Sequence, residues 1–141
     1  MAFTSTVSDM KTTFTFLLTL ASLFFSGGVL ALNCGDPQTQ TDMNICAGKD
    51  LDRETKKINQ TYNAVRAKLD AKQQQDLKQV QLAWIAFKDL DCKFQASGVE
   101  GGSIYSLIVA GCLKDKTIQR NKELDSLLHC QEGDMSCPVP Q

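Results

Sequence analysis

Residues 73–95 have the sequence QQQDLKQVQLAWIAFKDLDCKFQ, which contains neither glycine nor proline. Apolar side chains recur there every three or four residues, which is the period of one face of an α-helix. Glutamine, lysine, alanine and leucine, all good helix formers, supply much of the remainder. The apolar positions are Leu77, Val80, Trp84, Phe87 and Phe94, with Leu90 standing beside the interrupting Asp91. The stretch predicts an amphipathic helix over about residues 73–96.

Similar periodicity on both sides of this stretch predicts two more helices. The first covers about residues 41–70, with Thr41 as its N-cap, and residues 70–72 give a weak turn signal. Residues 97–102 (SGVEGG) give a strong loop signal, after which Ser103 is expected to cap a helix over about residues 103–129. Alternating β-branched runs, which would favour strands, are missing. The predicted fold class is all-α, with three antiparallel amphipathic helices linked by disulfides.

The chain has six cysteines, and none of them lies in the first 33 residues. They are Cys34, Cys46, Cys92, Cys112, Cys130 and Cys137. An even number in an exported segment indicates a disulfide framework, whereas the absence of CxxC pairs disfavours zinc or dithiol redox sites. If the loop at 97–102 reverses the chain, Cys92 lies beside Cys112, and we favour the local pairs 92–112, 34–46 and 130–137. The rival pairing joins Cys34 or Cys46 to the second helical hairpin.

The N-terminal residues are typical of an export signal. Residues 14–25 form an apolar run too short to span a membrane, and small residues allow cleavage after Ala31. Translation from Met10 would remove Asp9 and give the usual positive front end. Asn33 is a poor residue to precede a lipidated cysteine. We therefore expect a signal peptide at 1–31 and one domain at 32–141, periplasmic or secreted, with no membrane anchor after cleavage.

Charge and residue types disfavour several classes of function. The formal net charge is −1, so no basic surface indicates nucleic acid, and no motif indicates a cofactor or a metal. His129, the single histidine, is expected to complement a helix dipole rather than to catalyse. Asp89 and Asp91 are two residues apart and would point in different directions, which is unsuitable for glycoside hydrolysis. We expect a protein that is not an enzyme.

Two groups of residues are given roles by the pattern alone. Trp84 is expected in the core, and Lys88, Asp89 and Arg120 are expected to take part in an ion pair between helices. The glycine-rich loop is the candidate partner-binding site, because exposed loops on a rigid scaffold often make contacts. Its residues are Ser97, Glu100, Gly101, Gly102, Ser103 and Tyr105.

Several of these residues, taken in order, resemble the lysozyme inhibitor LprI-like family. The resemblance is carried by Cys34, by residues 43–47 (MNICA), by Ile58, Asn59 and Tyr62, by residues 81–92 (QLAWIAFKDLDC), by residues 101–104 (GGSI), and by Cys112, Thr117 and Arg120. It covers about residues 34–128. Thr55 stands where family members often carry an acidic residue, and the pair Cys130 and Cys137 lies beyond the shared block. The resemblance implies an exported helical domain, some relatives of which inhibit lysozyme, and it transfers no catalytic residue.

Two functions follow as expectations. The first is an exported inhibitor that binds and occludes a lysozyme-type muramidase, with the loop at 97–105 inserted in the cleft. The alternative is an interaction module of the cell envelope with no role toward lysozyme. The expected partner is a protein in both cases.

Overall fold

The computed structural model describes residues 32–139, so the predicted signal peptide lies outside the described residues. Three helices follow one another: α1 (Gln40–Ala67), α2 (Ala71–Gln95) and α3 (Tyr105–Ser126). Short 3-10 turns occupy Ser97–Val99 and Leu127–His129. No strand occurs in this part of the chain. The all-α prediction and the number of helices are confirmed.

The first two helices begin with reciprocal capping hydrogen bonds. The Thr39 side chain accepts from the backbone N–H of Asp42, and the Asp42 carboxylate accepts from the N–H of Thr39. Asp70 and Gln73 make the same exchange at the start of α2. These capping boxes satisfy N–H groups that have no partner within the helix. The helices therefore start earlier than predicted, and Thr41 lies inside α1 rather than at its cap.

The start of α3 also differs from the prediction. Ile104 occupies the N-cap position without a side-chain hydrogen bond, and the helix begins at Tyr105. Ser103 does not cap the helix. Its carbonyl instead accepts a hydrogen bond of 3.0 Å from the side-chain amide of Asn44 in α1. This bond ties the beginning of α3 to the beginning of α1.

The helices run up, down and up. α1 and α3 are parallel, since Asn44 meets Ser103 near their first turns and Val65 shares a buried cluster with Leu124 near their last. They form the most extensive helix pair, whereas α2 lies antiparallel and packs less extensively on α3. Of all α2 side chains only Cys92 is fully buried. Much of the surface of α2 is consequently left open.

The core lies toward the C-terminal ends of α1 and α3, and the tail completes it. Its buried members are Ile58, Val65, Leu69, Leu124 and Val139. Val139 is 2% exposed although it lies in the tail. The Gln73 side-chain amide holds the segment by donating to the Pro138 carbonyl at 2.8 Å. The tail thus supplies a core residue rather than hanging loose.

Three disulfides connect the described residues, and all are local in sequence. They join Cys34 to Cys46, Cys92 to Cys112 and Cys130 to Cys137, with Cα–Cα distances of 5.4, 5.6 and 6.1 Å. The first fastens the entry segment to α1, the second links α2 to α3, and the third closes the tail. In the chain-entropy model, a disulfide that closes a loop of the size of that between Cys92 and Cys112 stabilises the fold by about 3 kcal/mol.

Candidate protein-interaction surface

The connection between α2 and α3 is a compact loop built from consecutive tight turns. Backbone N–H groups of Val99, Gly102 and Tyr105 donate to the carbonyls three residues earlier, at 3.0, 3.0 and 3.1 Å. Gly101 adopts φ +77°, a conformation that favours glycine. Ala96, which lies between the end of α2 and the loop, is buried. The loop is therefore held in a defined shape by its own backbone.

The side chains predicted to bind a partner lie together at this end of the molecule. Ser97, Glu100, Gly101, Gly102 and Ser103 are exposed, and Tyr105 is half-buried. The Glu100 carboxylate forms no ion pair within the described residues. The loop thus presents polar groups and backbone to solvent, and partner binding through it remains a prediction.

The two helices that flank the loop, α2 and α3, are joined by a disulfide and by an ion pair. Beside the disulfide between Cys92 and Cys112, the Lys116 ammonium approaches the Asp91 carboxylate at 2.7 Å. The hydrogen bond from Lys116 lowers the pKa of Asp91, partial burial opposes it, and the attraction of Lys116 and a bond from Gln95 add to the lowering. Asp91 therefore stays ionised and tied to α3 under neutral conditions.

The residues expected in an interhelical ion pair have other partners. Asp89 pairs with its neighbour Lys88 at 3.0 Å, and Arg120 pairs with Glu123 at 2.9 Å. Arg120 also donates to Gln81 at 3.4 Å, which sets it eight residues, or about 12 Å, along α2 from Asp89. That distance is why the expected pair does not form, and the ion pair between Lys116 and Asp91 joins these helices instead.

Trp84 lies against the core, as its place on the apolar face of α2 predicts. It is half-buried and packs on the buried cluster together with Leu77 and Tyr62. The Lys88 ammonium lies 5.4 Å from the centre of its ring, which is a cation–π distance. Trp84 and Lys88 therefore stabilise the packing of α2 against the core.

A row of exposed apolar side chains on α2, which we call the α2 stripe, was not expected. It consists of Val80, Ala83, Phe87, Leu90 and Phe94. The four large members are 53%, 59%, 69% and 77% exposed in that order. The helical period groups Val80, Phe87 and Phe94 with Trp84 as apolar positions, yet these three side chains are exposed. They are exposed because α2 covers only a narrow strip of its surface against α3.

The sequence did carry a signal for this stripe. Residues 80–94 hold more apolar positions than one buried face needs, with intervals of three and four running through Ala83 and Leu90 as well as through Trp84. One of these two rows of apolar side chains therefore had to face solvent or another molecule. Deciding which one required the position of α3.

Features of other site classes are weak in the described part of the chain. No group of three or more histidine, cysteine or acidic side chains is placed to hold a metal ion between residues 32 and 139. His129 is exposed and its Nδ1 lies 2.9 Å from the Asp125 carbonyl, at the end of α3. None of the described helices is both long and apolar enough to cross a membrane. The described part of the chain thus forms a disulfide-linked helical domain that exposes both apolar and polar side chains.

Comparisons with known proteins agree with the resemblance seen in the sequence. The family model described as "Lysozyme inhibitor LprI" matches residues 33–124, and the chain belongs to this family. An uncharacterized protein of Rhizobium meliloti (strain 1021) is 31% identical over 114 residues, covering 72% of this chain and 82% of that relative. No solved structure matches the chain. The expected family is confirmed.

Proposed function

We propose that this protein is an exported inhibitor that binds and occludes a lysozyme-type muramidase in the periplasm or outside the cell. The observation that carries the proposal is the family match, which spans residues 33–124 and so includes α1, α2 and most of α3. Three disulfides support the extracytoplasmic location, because the cytosol keeps thiols reduced.

Inhibition would proceed by steric blockage. The loop at 97–105 connects α2 to α3 and is largely exposed, and its backbone hydrogen bonds hold it in one shape. A segment that is already ordered loses little conformational entropy when it enters a cleft, which favours affinity. The disulfide between Cys92 and Cys112 would hold the loop in place while it is bound.

A cell-wall lysis assay tests the proposal. Residues 32–141, purified with the disulfides formed, are added to egg-white lysozyme or a bacteriophage lysozyme before a suspension of bacterial walls. We expect clearing of the suspension to slow in proportion to the protein added. A reduced and alkylated sample is the matched control and should inhibit much less.

Undiminished lysis at a large molar excess over every muramidase tried would contradict the proposal. The alternative of an envelope interaction module would then be favoured if the folded protein captured wall or secretion components and no lysozyme.

A further inference from the structure

The α2 stripe has the spacing of a helix-packing seam. Its members Val80, Ala83, Phe87, Leu90 and Phe94 follow one another at intervals of three, four, three and four residues. This alternation keeps a row of side chains on one side of a helix, where they can fill the holes of a facing surface. A helix with such a row is the part that enters an apolar groove when two proteins bind in the helix-in-groove mode.

The size of the stripe matches a partner that binds reversibly. A phenylalanine presents about 150–250 Å², so Phe87 and Phe94 at 59% and 77% exposure leave roughly 250 Å² open. Val80 and Leu90 raise the apolar area to about 400–500 Å², which is within the range of the largest apolar patch on a typical monomer, a patch that often serves a function. That area suits the centre of an interface of about 800 Å² per partner, and it is small for a permanent homodimer, which needs more than about 1,000 Å² per subunit.

The charges beside the stripe indicate an uncharged partner surface. Lys116, whose ammonium lies 5.1 Å from the Phe87 ring centre, is already paired with Asp91. Lys72 and Asp76, near the start of α2, pair with each other at 2.6 Å. Among the described residues, Lys93 is an exposed charge close in sequence to Leu90 and Phe94. Little charge is therefore left unbalanced to select an oppositely charged surface.

The stripe is also continuous with the candidate loop. Phe94, its most exposed large member, is followed three residues later by Ser97, where the loop begins. One partner could therefore contact the stripe and the loop together. The exposed large apolar side chains of the loop are Val99 and Ile104, at 38% and 39%, and neither is aromatic. Binding energy is usually concentrated in buried aromatic and other large side chains, which the stripe supplies.

We propose that the α2 stripe is the main anchoring surface for the muramidase, seated in an apolar groove of that enzyme beside the active-site cleft. The inference rests on the proposed function. Phe87, Leu90 and Phe94 supply the anchors, and the loop at 97–105 provides the adjoining polar contacts. Inhibition should accordingly depend only weakly on salt, because apolar contacts are not screened.

Two substitutions of the same residue type on α2 test this assignment. Leu90→Ser alters the stripe, whereas Leu82→Ser alters a leucine that is also exposed, at 56%, but lies about 120° around the helix from the stripe centre. We expect Leu90→Ser, and likewise Phe94→Ser, to raise the half-inhibitory concentration at least about tenfold. Leu82→Ser should change it less than about threefold. Circular dichroism melts of all three variants establish that each is folded.

The outcomes separate this inference from the proposed function. If the wild-type protein inhibits and the Leu90→Ser and Leu82→Ser proteins inhibit equally well, the stripe is not the anchor although the function stands. If the wild-type protein never inhibits, the proposed function fails and the stripe has no muramidase to bind. Sedimentation of the free protein adds a third result: a dimer that Leu90→Ser dissociates and Leu82→Ser does not would assign the stripe to a second copy of the chain and overturn the proposal.

Discussion

Two single residues, Gly101 and Val139, contribute to the fold in different ways. Gly101 permits a backbone turn that L-residues rarely adopt, with φ +77°. Val139 fills the core from the tail that follows the last helix. The turn at Gly101 could be predicted from the sequence, because glycine is the residue type that favours such a backbone conformation. The burial of Val139 could not, because it depends on a tail position that no local pattern encodes.

Replacing Gly101 with alanine should destabilise the fold through backbone strain. A Cβ there meets no atom within 4 Å, so the cost comes from the positive φ and should be about 1 kcal/mol. Gly98→Ala is the matched control, since a Cβ at Gly98 also meets open space but its φ is not positive. Urea denaturation of both variants measures the difference. Equal midpoints would contradict the strained loop.

Replacing Val139 with alanine should cost about 2 kcal/mol of unfolding free energy, because it removes buried methyl groups and leaves a cavity. Met135→Ala in the same tail is the control, since Met135 is 99% exposed and should change stability by about 0.5 kcal/mol or less. Chemical denaturation distinguishes the two. A Val139→Ala protein as stable as wild type would show that the tail does not belong to the core.

At the scale of elements, the sequence predicted the three helices better than their faces. Helix periodicity and the loop glycines are local signals, so the three helices and the break at 97–102 follow from them, whereas the break near Asp70 had only a weak turn signal. Helix starts differ by one or two residues because capping boxes at Thr39 and Asp70 depend on paired side chains. Which face of α2 is buried depends on where α3 packs, so the exposure of Phe87 and Phe94 was not predictable from α2 alone.

The ion pair between α2 and α3 should make stability depend on pH. The pKa of Asp91 lies below its ordinary value of 3.8, so the ionised carboxylate stabilises the fold above that pH. This contribution is lost as the pH falls through the lowered pKa. Asp91→Asn should therefore reduce stability near neutral pH and flatten the loss of stability in acid. Denaturation at a series of pH values from neutral to about 2 measures both effects.

Asp115→Asn is the matched control for this pH dependence. Asp115 lies on α3, is 74% exposed, and is 3.6 Å from Lys114 on the same helix. Its replacement should leave the acid dependence close to that of wild type. An Asp91→Asn protein with an unchanged pH profile would contradict the role of the interhelical pair.

For the whole molecule, the proposed function rests on the family match and on the exposed surface of the matched segment. The family match covers residues 33–124, and the exposed surface of the same segment includes the loop and the α2 stripe. The sequence predicted the family and the loop, since ordered motifs such as residues 81–92 are visible without coordinates. The stripe emerged only from the packing of the helices.

Titration of a muramidase with the folded protein tests the central claim most directly. Isothermal calorimetry with egg-white lysozyme or a bacteriophage lysozyme, followed by activity measurements on the same mixtures, gives stoichiometry and inhibition together. The proposed function predicts saturable binding at one molecule per enzyme, with activity falling in parallel to occupancy. No heat of binding across the enzymes and temperatures tried, together with full activity at a large excess of the protein, would contradict it.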